Sequence, residues 1–197
     1  MLSKERHQTA TGPHSAITSD EAFNRTLASQ LVAAIDALDL QYGDRVSLLA
    51  VESASMRGVV PSWQADITLQ HPRARPEDLP EYLTVKMGQL LTEGAQDAGG
   101  AVFWALRYFS TRVDCEAIDT SVIVLSTLHH EIVVGDDGGL SMDPGQAGSF
   151  WSGCSMIAFL GAGADHDATE NLDPVMLQDL MAQYGQSLGF RQVEIRW

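Results

Sequence analysis

The chain has 197 residues, with 45% hydrophobic and 19% charged positions, a balance that fits a globular fold and excludes a disordered chain. Its 26 acids against 12 bases leave a net charge of −14. A surplus of that size argues against a free-standing nucleic-acid binder and against an anionic membrane surface, both of which demand exposed cations. The charge is also uneven. Between Arg112 and Arg191 lie 78 residues without a single Lys or Arg, and they carry twelve acids. The rest of the chain contributes only −2.

Residues 1–17 are rich in Thr, Ser, His and Gln and read as a flexible tail, with residues 18–197 forming a single α+β domain. Thr18-Ser19-Asp20-Glu21 is a capping box. Phe23, Leu27, Leu31, Ala34, Ile35 and Leu38 then follow at helical spacing, predicting a helix to about Gln41 that ends at Gly43. Val46 to Val51 predicts a short strand. Trp63, Ala65, Ile67 and Leu69 alternate with polar residues and predict a strand with one buried face. A proline-rich loop leads to a helix carried by Leu83, Met87, Leu90 and Leu91.

The middle reads as strand-rich. Ala101 to Val113 is aromatic, Val122 to Val134 is β-branched, and Phe150 to Leu160 is apolar on both faces. The last helix has the strongest local signals. Asp173 is placed as N-cap, Pro174 at N1, Leu172 and Leu177 form a staple, and Gly189 closes it. A final strand puts Val193, Ile195 and Trp197 on one face. The order α-β-β-α-β-β-β-α-β predicts an α+β fold, a mostly antiparallel sheet with helices packed on one face, of ferredoxin-like type.

The most chemical triplet is His129-His130-Glu131. On a strand, His129 and Glu131 share a face and could supply two ligands to a divalent metal, or a general base and its orienting carboxylate. Asp165, His166 or Asp167 could supply a third ligand after folding. No other cofactor is expected. Gly161-Ala162-Gly163 lacks the third glycine of a dinucleotide loop, and its acidic neighbours would repel phosphate. Asp165-x-Asp167-x-Thr169 opens like a calcium loop, but Glu170 and Met176 stand where glycine and an acid are required. Cys115 and Cys154 fall in or beside apolar stretches and read as small hydrophobes in a reducing compartment. No leader or membrane span is apparent, so a soluble, cytoplasmic protein is expected.

The function these features favour is a non-catalytic, acidic protein-interaction module: an adaptor, a dedicated chaperone, or an inhibitor of a basic partner protein. Asp136, Asp137, Asp143, Asp165, Asp167 and Glu170 are the expected partner-binding residues, by steering a basic surface. The alternatives are a small metal-dependent or acid/base enzyme using His129 and Glu131, and a small-ligand sensor. A homodimer would cover an open sheet edge.

Overall fold

A computed structural model describes residues 7–14, 21–55, 57–92, 102–116, 119–126, 128, 132–135, 139–142, 149–162 and 173–196. They form a mixed α and β fold. A six-stranded sheet contains β1 (His7–His14), β2 (Arg45–Ser55), β3 (Gly58–Thr68), β4 (Thr120–Ser126), β7 (Met156–Leu160) and β8 (Gln192–Arg196). Their order across the sheet is β3-β2-β1-β4-β7-β8. A separate two-stranded ribbon pairs β5 (Ile132–Val134) with β6 (Leu140–Met142). The α-helices of the described residues are α1 (Glu21–Asp36), α2 (Leu79–Thr92), α3 (Val102–Ser110) and α4 (Pro174–Leu188).

This topology departs from the ferredoxin-like expectation. β1 runs parallel to β2 and β4, β4 to β7, and β7 to β8; within the large sheet only β2 and β3 are antiparallel. Helices cover both faces. On one, Leu27, Leu31 and Ile35 of α1 and Leu83 and Met87 of α2 pack on Leu48, Ile123, Leu125 and Leu160. On the other, Leu106 and Phe109 of α3 and Met181 and Tyr184 of α4 pack on Leu49, Val124, Ile157 and Phe159. Alternate residues of β4 therefore feed opposite cores, which is why its sequence is apolar throughout.

Two element assignments differ from expectation. Residues read as a tail supply β1, a strand inside the sheet between β2 and β4. The aromatic segment after residue 101 is the helix α3, not a strand. Val102, Phe103, Leu106 and Phe109 are buried at helical spacing, so tertiary packing overrides the β preference of the aromatic side chains. Other expectations hold. In β3, Trp63, Ala65 and Ile67 pack inward while Gln64, Asp66 and Thr68 face water. Lys86 lies 4.9 Å from the Trp63 ring centre. In α4, the Asp173 side chain accepts the Val175 N–H at 2.8 Å, and Gly189 ends the helix at φ +104°. Trp151 is not on a strand: it sits fully buried in the turn before β7, stacked on Phe190.

The cysteines are also not free. Cys115, after α3, and Cys154, before β7, are joined as a disulfide with their Cα atoms 4.7 Å apart. The fold brings together two positions separated by 39 in sequence, which no local pattern announces. No helix among the described residues is long and apolar enough to cross a membrane.

Candidate functional site

In an open sheet of mostly parallel strands, ligands bind outside the carboxyl ends, where the connections diverge. Here that point lies between β1 and β4. From β1 the chain crosses by α1 to β2; from β7 it crosses by α4 to β8 on the opposite side. The carboxyl ends of β1, β4 and β7 are level, with His14 opposite Ser126 and Leu125 opposite Leu160.

The sequence-derived candidates follow these ends. Residues 129–131 come just after β4, and residues 163–172 just after β7. His129, Glu131, Asp136, Asp137, Asp143, Asp165, Asp167 and Glu170 all lie outside the described residues, as do His130 and His166. Their flanks are firmly held. Leu128 is fully buried at φ +56°, and its N–H donates to Ser126 Oγ at 3.1 Å. The Ile132 N–H donates to the Leu128 carbonyl at 3.0 Å. Beyond β7, Gly161 turns at φ +80° and Ala162 is buried. Among the described residues, no group of three or more His, Cys, Asp or Glu could hold a metal ion.

A second feature lies at the opposite, amino edge of the sheet. A cleft of about 310 Å³ opens between the last turns of α1 and the strands β4, β7 and β8. Its polar lining comes from Asp119, Ser121, Ser155, Gln192, Glu194 and Arg196. The Ser155 hydroxyl donates to the Asp119 carboxylate. Arg196 pairs with Glu194 at 3.2 Å, and the Gln192 amide donates to the same carboxyl group at 3.1 Å. The cleft exists because β8 buries only one flank: Val193 and Ile195 join the α4 core, while Gln192, Glu194 and Arg196 alternate onto the other face. No motif in the sequence singles these residues out. Their period of two beside Val193 and Ile195 was the available signal.

The chain matches no known protein family, and no curated protein resembles it closely enough to count as a relative.

Proposed function

We propose that the protein is a non-catalytic, acidic interaction module that binds a basic partner protein across the carboxyl edge of its sheet. One observation carries this reading: the 78 residues without a base also hold twelve acids, in a chain of net charge −14. That stretch supplies β4, β7 and α4, and within it Asp173, at the start of α4 beyond the carboxyl end of β7, and Asp179 are solvent-exposed. A one-signed surface raises the encounter rate with an oppositely charged partner and rejects like-charged ones. Asp136, Asp137, Asp143, Asp165, Asp167 and Glu170 are assigned as the partner-facing acids. A cytoplasmic location and a homodimer through an open edge strand, β3 or β8, belong to the same proposal.

The parallel, level pairing of β4 with β7 favours one second reading. The stretch with His129 and Glu131 follows one strand, and the stretch with Asp165, His166 and Asp167 follows its neighbour. Metal-dependent or acid/base chemistry would draw on those two stretches. Capture from an extract of the native host separates the readings. The module retains a basic protein at about 0.05 M salt and releases it at about 0.5 M, where charges more than a few ångströms apart are screened. Salt-independent recovery, together with stoichiometric metal lost on His129→Ala, overturns it in favour of the second.

A further inference from the structure

The disulfide and the amino-edge cleft share the same two strand entrances. Cys115 lies in the connection leading into β4, four residues before Asp119, and Cys154 immediately precedes Ser155. The turn before β7 comes close to Cys115 because Gly153 has φ +93° and no side chain. A Cβ there would stand 3.2 Å from the Cys115 carbonyl oxygen. From this turn the chain reaches β8: the Arg191 N–H donates to the Cys154 carbonyl at 3.4 Å and the Gln192 N–H to the Ser155 carbonyl at 3.0 Å. Asp119, Ser155 and Gln192 all line the cleft.

Other ties cross the same place without sulfur. The Ser155 N–H donates to the Thr120 carbonyl at 2.9 Å, its hydroxyl donates to Asp119, and the β4–β7 ladder continues from Ser121 and Met156. The strands therefore stay paired when the sulfurs part. Two thiols in apolar surroundings pack as small hydrophobes. The two sulfurs are unequal, since Cys154 is fully buried and Cys115 is half-buried between exposed Asp114 and Glu116.

We infer that Cys115 and Cys154 form a reversible thiol–disulfide clasp at the entrances of β4 and β7, packed in the α3/α4 core beside residues that line the cleft, and opened by a dithiol reductant. A thiolate of the reductant attacks Cys115 Sγ. The S–S bond breaks, and its electron pair leaves on Cys154 Sγ, which takes up a proton from water. The second thiol of the reductant then displaces Cys115, which is protonated in turn. The reductant is oxidised to its own disulfide, and the pair gains two electrons and two protons. Asp114 and Glu116 repel an anionic monothiol such as glutathione, so an uncharged dithiol is the better reductant. Opening releases the turn 150–155 and weakens its ties to Arg191 and Gln192, while the distant β2–β3 hairpin keeps its own ties. The clasp does not depend on the identity of any partner.

The test uses the whole purified chain, kept in air and then treated with dithiothreitol or with glutathione. Alkylation in denaturant followed by mass measurement counts free thiols, circular dichroism follows the fold, and amide hydrogen exchange is read by peptide. The clasp predicts no free thiol before treatment, and two after dithiothreitol with an unchanged far-ultraviolet spectrum. Exchange around 150–156 and 191–192 then accelerates by about an order of magnitude or more beyond any change at 45–68, which follows only the loss of global stability. Glutathione acts more slowly at equal thiol concentration. The double variant Cys115→Ser/Cys154→Ser reproduces the reduced pattern; if it does not fold, the wild-type experiment still decides. Two free thiols in air-exposed protein, global unfolding on reduction, or unaltered exchange near the cleft each overturn the inference.

Discussion

Replacing Gly185 by alanine tests how closely α4 rests on the sheet. Gly185 is buried in the last turn of α4, and a Cβ built there would meet Val193 Cγ2 at 2.5 Å, Ile157 Cγ2 at 3.1 Å and Val193 Cγ1 at 3.2 Å. Two effects compete. Alanine gains about 1 kcal/mol of helix propensity over glycine. Overpacking against three methyl groups on β7 and β8 costs about 1–3 kcal/mol, because short β-branched side chains have little room to yield. The contacts are short enough that the second effect wins, by about 1–2 kcal/mol, or about 3–6 °C in Tm for a chain of this size. Urea denaturation of Gly185→Ala reads the loss. The same change in a Val193→Ala background removes two of the three contacts, so there the loss disappears or becomes a small gain, a coupling of about 1–2 kcal/mol. If Gly185→Ala alone stabilises the protein, as it would in an exposed helix, α4 does not lie against Val193 and the packing described above is wrong.

Other expectations follow from single contacts. Gly189→Ala forces a side chain into a left-handed conformation with its Cβ 2.8 Å from the Ser152 backbone nitrogen, and destabilises by more than about 2 kcal/mol. Gly43→Ala, at φ +100° with nothing nearby, costs only the conformational part, about 1 kcal/mol; equal losses in the two denaturation curves would contradict the contact. Asp173→Ala removes the cap on Val175 and costs about 1 kcal/mol, while Asp173→Asn is nearly neutral, as thermal melts will report. Leu106→Ala opens a cavity under α3 and costs about 2–5 kcal/mol. If residues 102–110 formed an exposed edge strand instead, that loss would be under 1 kcal/mol. Reducing the bond between Cys115 and Cys154 removes a constraint across 39 positions, worth about 3–4 kcal/mol by chain entropy, so reduced protein melts earlier while remaining folded at room temperature.

These cases also show which information is local. The ends of α4 were legible because a cap acts within four residues: Asp173, Pro174 and Gly189 each satisfy or replace a backbone group beside them. The alternation in β3 was legible because one of its faces is wet. α3 was misread because Phe103, Trp104, Tyr108 and Phe109 favour strands, and only the surrounding core makes their burial helical. β1 was misread because His7 to His14 carries no apolar run, and its place comes from pairing with β2 and β4 on both sides. With β1 read as tail, the crossover through α1 vanished, and with it the clearest sign of a parallel sheet. The Cys115–Cys154 pair and the cleft beside it arise from strand order, which no spacing in the chain encodes. The candidate acids stand out by composition, and His129 and Glu131 by their i, i+2 spacing on an expected strand over Val122 to Val134; β4 ends instead at Ser126, and the topology adds that residues 129–131 and 163–172 succeed neighbouring parallel strands.

The central claim is that the acids of the base-free stretch bind a basic protein. The most direct measurement compares the wild-type chain with a variant in which Asp136, Asp137, Asp143, Asp165 and Asp167 become asparagine and Glu170 becomes glutamine, both immobilised and exposed at low salt to the same extract of the native host. The account predicts a basic protein held by the wild type, and its loss from a variant that still gives the wild-type circular dichroism spectrum. Equal retention by the two proteins would contradict it.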